Sequence, residues 1–285
     1  MKKMSKLASV LLATGVMAST VQMPSALAND NEREEIKTTE DKHIDNKSKE
    51  NYFKALKNAK EIDNSKISTT QVTKNNDITK AIGLLKVHDD NGKRHGTAFV
   101  VGRHTIITNH HVVRDKLDDS KLVQTKDMLF KLNGKDYKIK SIKPLFLEDV
   151  AILHTKTPIE SSVKPLKIAK SSTIKHLNKG ETLHSYGYPD YKTLDNTIDN
   201  NALVKINGYY LNPKTIFNHQ YYMKMKVRRG ASGSPILNKN NEVVGIVKGG
   251  YNRDGKMRKD ASKVELSSAQ NLNDFVRSAI INQIN

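Results

Sequence analysis

Short apolar runs separated by turn residues follow one another through most of the chain after about Asp77. The runs are rich in β-branched residues, and Gly, Asn and Asp stand between them. Such spacing is typical of an antiparallel β-sandwich or β-barrel and disfavours alternating strands and helices. The runs lie at 82–87, 97–101, 105–108, 203–206, 221–227 and 243–247, and the turn signals are Asp90-Asn91-Gly92, Gly102-Arg103 and Leu132-Asn133-Gly134-Lys135. The pattern predicts an all-β fold.

The end of the chain changes to a helical period. Apolar residues recur there three and four positions apart, which places them on one face of an amphipathic helix. They are Leu272, Phe275, Val276, Ala279, Ile280 and Ile284. Ser267 and Ser268 precede this stretch and are candidate N-caps. We therefore expect a helix at the C-terminal end of the β-rich part.

The start of the chain has the layout of a secretory signal over 1–28. Basic residues come first, an apolar stretch at 7–18 follows, and Ala26-Leu27-Ala28 forms a small-residue cleavage site. The apolar stretch is too short to span a bilayer, and no other candidate span follows, so no transmembrane anchor is expected. This start predicts a secreted protein.

Residues 29–71 are dominated by Lys, Glu, Asp, Asn and Thr, a composition that buries too little apolar surface to fold alone. We interpret the segment as a propeptide or flexible leader and place the folded domain at 72–285. Within the leader, apolar residues at helical spacing after Ser48 predict a short amphipathic helix, either docked on the domain or frayed in solvent. These residues are Tyr52, Phe53, Leu56, Ala59 and Ile62.

One loop has the composition of a nucleophile site. Small residues surround Ser232 in the stretch Gly230-Ala231-Ser232-Gly233-Ser234-Pro235. They allow a tight turn in which the backbone N–H groups of Gly230 and Ser232 converge as an oxyanion hole. Ser234 is the rival nucleophile.

A base and a carboxylate come earlier in the chain, each beside a predicted strand. Two adjacent histidines, His110 and His111, follow the β-branched run at 105–108, and Asp149 directly precedes an apolar run. A serine hydroxyl needs an imidazole to accept its proton and a carboxylate to orient that imidazole. Glu148 is the rival carboxylate, but the apolar run after Asp149 favours Asp149 in the core, with Glu148 in solvent. The two histidines point in opposite directions if the segment is extended, which disfavours a shared metal ion.

Four motifs, TNHHVV, EDVAIL, HSYGYP and GASGSPILNKNNEVVGIV, resemble the staphylococcal V8-type glutamyl endopeptidases and their relatives, the Spl proteases and exfoliative toxins. The resemblance covers about residues 78–282. It implies a chymotrypsin-like serine protease with two six-stranded antiparallel barrels and a C-terminal helix. In that pattern the catalytic triad is His111, Asp149 and Ser232, no cofactor or metal is needed, and Ser234 has a structural role. Relatives carry Asn or Asp where this chain has Ala231, so pairing of that side chain with a new N-terminal amine is excluded.

The same resemblance predicts an altered pocket for the P1 residue, which precedes the cleaved bond. Glutamyl endopeptidases bind a P1 carboxylate with a threonine and a histidine at the positions of Val227 and Val247. Two valines favour an apolar P1 residue, because an unpaired carboxylate there is costly. Nearby basic residues are the alternative, because they would attract an acidic P1 residue. Two glycines are expected to line the wall of the P1 pocket. The basic residues are Lys226, Arg228 and Arg229, and the glycines are Gly249 and Gly250.

Composition limits the source of the protein and its binding partners. The chain has a formal net charge of +18 and no cysteine, which excludes thiol catalysis and, in an exported protein, favours a Gram-positive bacterial source. Positive charge favours contacts with anionic cell-wall polymers or surfaces. Lysines spread along the chain and few aromatic residues disfavour nucleic acid as a partner. We expect a monomer that acts on protein or peptide substrates.

Two other functions are open at this level. Thr-Asn-x-His-Val also occurs in HtrA-like proteases, although these carry a PDZ domain for which little chain remains after Ser232. A non-catalytic, basic, surface-binding protein on the same fold is the alternative from another class. An ordered His, Asp and Ser set disfavours it, because binding alone does not require the three groups.

Overall fold

The computed structural model describes residues 46–89, 92–118, 120–145, 148–190, 201–211, 219–250 and 256–284. The predicted secretory signal, residues 29–45 of the charged leader, and the turn residues Asp90 and Asn91 lie outside the described residues. The strands are β1 (Ser68–Gln71), β2 (Ile82–Asp89), β3 (Gly92–Val100), β4 (Thr105–Thr108), β5 (Met128–Leu132), β6 (Lys135–Leu145), β7 (Val150–Thr155), β8 (Thr182–Gly187), β9 (Val204–Tyr210), β10 (Gln220–Lys224), β11 (Pro235–Leu237), β12 (Val243–Gly250) and β13 (Leu266–Asn271). The helices are α1 (Asn46–Lys60), α2 (His110–Val113), α3 (Ser171–Lys175), α4 (Lys256–Lys263) and α5 (Asp274–Ile281).

The strands form two closed antiparallel barrels. The first has the order β2-β3-β4-β7-β6-β5, closed by pairing of β5 with β2. The second has the order β9-β10-β13-β12-β11-β8, closed by pairing of β8 with β9. This double barrel with a C-terminal helix confirms the predicted all-β, chymotrypsin-like fold.

The sequence pattern of each strand reflects whether one face of the strand or both faces are buried. Residues of β5 and β9 alternate between buried and partly buried, as in strands with one face on the core. All four residues of β4 are buried, which matches its uninterrupted β-branched sequence. The apolar run at 221–227 is strand only as far as Lys224, because the chain leaves the sheet there to form the loop before β11.

The hairpin between β5 and β6 shows how local sequence sets strand register. Asn133 and Gly134 have φ values of 50° and 79°, and Leu132 pairs with Lys135. Two positive φ values define a two-residue turn that matches the twist of the strands, and Asn-Gly is its preferred sequence. The predicted turn is confirmed.

Helix α1 and strand β1 pack on the second barrel. Strand β1 pairs with β9 in antiparallel register, from Ser68 opposite Asn207 to Gln71 opposite Val204. A separate apolar cluster joins α1 to this barrel; it contains Tyr52, Ala55, Leu56, Ala59, Leu211, Tyr222, Ala261 and Leu266. The predicted amphipathic helix is therefore present and docked, although Phe53 faces solvent. Removal of this segment as a propeptide stays a prediction.

The buried Lys224 ties α1 to β10. Its ammonium donates hydrogen bonds to the carbonyl oxygen of Ala59, 3.0 Å away, and to Asn64 Oδ1, 2.6 Å away. Burial lowers the pKa of Lys224, and the charges of Asp63 and Glu265 oppose that shift. The carbonyl at the end of α1 and the amide oxygen of Asn64 thus solvate a charge that has left water.

Helix α5 confirms the predicted C-terminal helix but not its caps. Asn273 is the N-cap, and its Oδ1 accepts a hydrogen bond from the backbone N–H of Val276 at 2.9 Å. Ser267 and Ser268 lie in β13 instead. Their proposed capping role is wrong, because pairing of β13 with β10 and β12 holds them in an extended strand. In the described part of the chain, no helix has both the length and the apolar character needed to cross a membrane.

Candidate active site

The register of two strands brings the histidine and the aspartate together. Thr108 at the end of β4 pairs with Ala151 near the start of β7. Because the strands are antiparallel, the residues after β4 lie beside the residues before β7. His111 and Asp149 occupy those two places in the first barrel.

His111 holds the carboxylate of Asp149 with two groups. Its ring Nδ1–H donates to Asp149 Oδ2 at 2.7 Å, and its backbone N–H donates to Asp149 Oδ1 at 3.0 Å. This pairing fixes both the ring and the tautomer that leaves Nε2 as an acceptor. Asn109 completes the arrangement by donating from Nδ2 to the carbonyl oxygen of Asp149 at 2.8 Å.

The segment that carries the two histidines is helical, not extended. His110 and His111 open the single turn of α2. Our expectation of an extended segment was therefore wrong, although successive side chains on a helix also point in different directions. His111 is the histidine that contacts Asp149. Among the described residues, no group of three or more His, Cys, Asp or Glu side chains could hold a metal ion.

Asp149 is held in its charged form. Burial alone would raise its pKa, since only 11% of the side chain is exposed. The charge and hydrogen bonds of His111, with a further contribution from the charge of Lys248, outweigh burial and keep the pKa well below its usual range. An ionised carboxylate at this place stabilises an imidazolium when His111 accepts a proton.

Glu148 does not lie in solvent as we expected from the sequence. Only 4% of the residue is exposed. It accepts hydrogen bonds from Gln270 and Asn273, which come from β13 and from the N-cap of α5, and also from His219. The expectation was wrong because it considered only the strand that follows Asp149 and not the second barrel, which covers Glu148.

The loop between β10 and β11 carries Ser232 against the first barrel. The carbonyl oxygen of Ser232 accepts a hydrogen bond from the N–H of Thr97 in β3 at 2.8 Å, and Thr97 Oγ1 donates to the carbonyl of Gly230 at 3.0 Å. Gly233, with φ of 88°, lies so close to Thr97 and Thr108 that a side chain would collide with both. Small residues are therefore required for Ser232 to lie beside the strands that position His111.

Burial separates the two candidate serines. Ser234 is fully buried, its Oγ faces Gly187, and this hydroxyl has no hydrogen-bond partner within the described ranges. Ser232 retains 8% exposure. A substrate can reach Ser232 more readily, as its assignment as the nucleophile requires.

The hydroxyl of Ser232 is not hydrogen-bonded to His111 in this structure. It donates to the backbone carbonyl of Lys248, 3.2 Å away. The Nε2 atom of His111 is buried and has no hydrogen-bond partner among the residues described here. For Ser232 to transfer its proton to His111, its hydroxyl would have to turn from Lys248 to that histidine.

The backbone N–H groups of Gly230 and of Ser232 itself differ from those of the residues next to them in this loop. Neighbouring N–H groups have partners: Ala231 donates to Arg228 O at 3.1 Å, and Gly233 donates to Val247 O at 3.0 Å. In contrast, the N–H groups of Gly230 and Ser232 donate to no acceptor in the described parts of the chain. These are the two groups that the sequence assigned to an oxyanion hole.

The residues proposed to form the P1 pocket lie around one end of β12. Val227 and Val247 are buried, and Gly250 packs against the backbone of Val227, where a Cβ would lie 2.7 Å from its carbonyl oxygen. Gly249 and Gly250 are partly exposed within β12, opposite Ser268 and Ser267. Val227 thus lies against the end of β12 that contains Gly249 and Gly250.

The three basic residues before the loop have different surroundings. Arg228 forms a two-pronged ion pair with Glu265 at 2.7 and 2.8 Å, so its charge is already neutralised. Lys226 is partly buried, and Arg229 is exposed. Arg228 therefore does not serve as an acidic-P1 contact, which leaves Lys226 and Arg229 as basic candidates.

Sequence patterns did not identify Thr97, Asn109, Gln270 or the Lys248 carbonyl as parts of this site. Asn109 lies inside the TNHHVV motif, so its place before the histidines was a usable signal. Gln270 and Thr97 reach the site through pairing between distant strands, and no local pattern marks them.

Comparison with known proteins finds one matching family and several similar folds. Residues 96–246 match the family profile described as "Trypsin-like peptidase domain". The fold is similar to that of a Glu endopeptidase in complex with MPD, with 17% identity over 75% of this chain and 94% of the other and a TM-score of 0.56. It is also similar to the active form of the Rv3671c protease of M. tuberculosis, with 18% identity over 73% of this chain and 82% of the other and a TM-score of 0.53.

Proposed function

This chain belongs to the trypsin-like peptidase family, and we propose from that premise that it is a secreted serine endopeptidase whose triad is His111, Asp149 and Ser232. The family and the double barrel support the activity of a chymotrypsin-like serine protease. The observation that carries the triad is the pairing of both His111 N–H groups with the Asp149 carboxylate, beside the Gly-bounded loop of Ser232.

In the proposed mechanism, the Ser232 hydroxyl leaves the Lys248 carbonyl and donates to His111 Nε2. Its oxygen attacks the peptide carbonyl while the proton passes to Nε2, and Asp149 stabilises the imidazolium. The N–H groups of Gly230 and Ser232 stabilise the oxyanion. His111 then protonates the departing amine, and water, activated by the same imidazole, hydrolyses the acyl-enzyme and restores Ser232.

We further propose a V8-type enzyme with an apolar preference at P1. Val227 and Val247 offer no polar group to a P1 carboxylate, and Arg228 is paired with Glu265. Burial of an unpaired carboxylate would cost several kcal/mol even after the protein relaxes around it. A Glu endopeptidase among the similar folds supports the type of enzyme and not this specificity.

Cleavage of a peptide library by the purified protein, read by mass spectrometry beside Ser232→Ala, tests the function. We expect cleavage after apolar residues and its loss by at least about 10³-fold in Ser232→Ala, because the nucleophile is removed. Ser234→Ala is the matched control and should retain cleavage. Equal cleavage by Ser232→Ala would refute the mechanism, and cleavage only after Glu would refute the apolar P1.

A fluorophosphonate probe distinguishes this proposal from a surface-binding protein that keeps the fold. The hydrogen bond of Ser232 to Lys248 is the one observation that favours a non-catalytic role. Covalent labelling at Ser232 would show that the hydroxyl reaches a reactive position. Absence of labelling, together with absence of cleavage, would favour the binding protein.

A further inference from the structure

A buried carboxylate lies directly beside the triad aspartate and has no part in the mechanism above. Glu148 is covered by the second barrel, although it belongs to the turn before β7 of the first barrel. Burial of a carboxylate is costly unless hydrogen-bond donors surround it. The burial of the Glu148 carboxylate therefore needs a structural explanation.

Among the described residues, three side chains donate hydrogen bonds to Glu148. Gln270 Nε2 donates to Oε2 at 2.5 Å, Asn273 Nδ2 donates to Oε1 at 2.9 Å, and His219 Nδ1 donates to Oε1 at 2.7 Å. Gln270 belongs to β13, Asn273 caps α5, and His219 immediately precedes β10. The carboxylate thus joins its own turn to three places on the second barrel and its C-terminal helix.

Gln270 connects this cluster to Asp149. Its Oε1 accepts a hydrogen bond from the backbone N–H of Asp149 at 3.1 Å, while its Nε2 faces Glu148. An amide presents one acceptor and one donor group, and a carboxylate accepts only. Glu148 therefore sets the orientation of the Gln270 amide so that its oxygen faces Asp149.

The two peptide groups around Asp149 are held from opposite sides. Gln270 holds the N–H, and Asn109 holds the carbonyl oxygen at 2.8 Å. Together they restrict rotation of the backbone that points the Asp149 carboxylate at His111. A small rotation there would misalign the imidazole relative to Ser232, which belongs to the other barrel.

We propose that Glu148 is a positioning residue for the triad and acts through the Gln270 amide. This inference rests on the proposed protease function. It assigns Glu148 no contact with the substrate. Its effect is to keep Asp149, and through it His111, aligned with a nucleophile carried by the second barrel.

The test is a reciprocal exchange between Glu148 and Gln270. In Glu148→Gln, the new amide N–H₂ faces one of three donors, so a hydrogen bond is replaced by repulsion. Gln270→Glu puts two carboxylates together. The double variant Glu148→Gln/Gln270→Glu restores a donor and an acceptor across the contact, and the new carboxylate still accepts the Asp149 N–H.

Steady-state kinetics should be measured per active site, counted by end-point fluorophosphonate labelling. We expect each single variant to lose about 30-fold in kcat with KM changed less than about threefold, because misplacement by an ångström can cost 10²-fold. The double variant should recover to within about threefold of wild type. His219→Ala, which removes only the exposed donor, is the control and should stay within about threefold.

A kcat of Glu148→Gln equal to wild type per labelled site would overturn the proposal, as would a folded double variant without recovery. The proton NMR resonance of the His111 Nδ1–H, hydrogen-bonded to Asp149, provides a readout that does not need turnover. It should shift or broaden in Glu148→Gln and return in the double variant, and an unchanged resonance would overturn the inference. Wild-type protein without Ser232-dependent cleavage would refute the protease function instead.

Discussion

At the residue scale, Asp149 carries a charge where little water reaches. Its neighbours replace water: two N–H groups of His111 contact the carboxylate, and Asn109 contacts the backbone carbonyl. The cost of desolvating this charge is offset only while the imidazole remains in place. The residue therefore links stability to the geometry of the proposed triad.

Substitution Asp149→Asn should lower kcat by about 10⁴-fold, because a neutral amide no longer stabilises the imidazolium or fixes the tautomer of His111. Active-site-normalised hydrolysis of a peptide substrate measures this loss. Asp118→Asn is the control, since the Asp118 carboxylate bonds to Ser120 and Lys121 in a surface loop. A loss of less than about tenfold in Asp149→Asn would contradict the assigned role.

The same variant should change stability in acid. The unfolded chain has an aspartate pKa of about 3.9, and the folded protein has a lower one at Asp149. The unfolded state thus binds the proton more tightly, so the stabilisation is present above about pH 4 and is lost as pH falls below it. The urea-unfolding free energy of Asp149→Asn should therefore fall less on acidification than that of wild type. Equal pH dependence in both proteins would show that this carboxylate does not contribute.

At the element scale, secondary structure positions the site through register and docking. Pairing of β4 with β7 puts α2 beside Asp149, and the loop after β10 meets β3 through Thr97. Helix α1 packs on the second barrel, and strand β1 pairs with β9 of that barrel. Lys224 at the end of β10 bonds to Ala59 of α1, and Arg228 in the loop of Ser232 pairs with Glu265.

Two adjacent aromatic residues test the docking of α1. Tyr52 is 5% exposed and packs edge-on to Tyr222, whereas Phe53 is 53% exposed. Tyr52→Ala should lower the free energy of unfolding by about 3 kcal/mol, because a buried aromatic side chain leaves a cavity. Phe53→Ala should change it by less than about 1 kcal/mol. Urea unfolding measures both, and equal effects would show that α1 does not dock by this face.

At the scale of the whole molecule, the two barrels contribute different parts of one site. His111 and Asp149 belong to the first barrel, and Ser232 belongs to the second. Hydrogen bonds between the barrels hold them in register: Thr97 with Ser232 and Gly230, and Gln270 with Asp149. Any change in the relative position of the barrels is therefore transmitted to the distance between the proposed nucleophile and the proposed base.

The net charge of +18 also belongs to the whole molecule. We expect the protein to bind dextran sulfate, a probe for anionic wall polymers, with affinity that falls steeply between about 0.1 and 1 M salt, as the screening length shortens from about 10 to 3 Å. Retention on the immobilised polymer along a salt gradient measures this. Ser232→Ala should elute with wild type because its charge is unchanged. Retention that is insensitive to salt would contradict an electrostatic contact.

The sequence by itself determined the all-β class, the turn at Asn133 and Gly134, and the chain order of His111, Asp149 and Ser232, because each depends on local conformational preference or on a contiguous motif. Local pattern could not determine that Glu148 is buried, that Arg228 pairs with Glu265, or that the Ser232 hydroxyl faces Lys248. Those outcomes depend on which distant strands meet: Glu148 and its partner Gln270 are 122 positions apart in the chain. Only closure and packing of the two barrels bring such donors and acceptors within hydrogen-bonding distance, so the tertiary structure decided the partners of Glu148, Arg228 and Ser232.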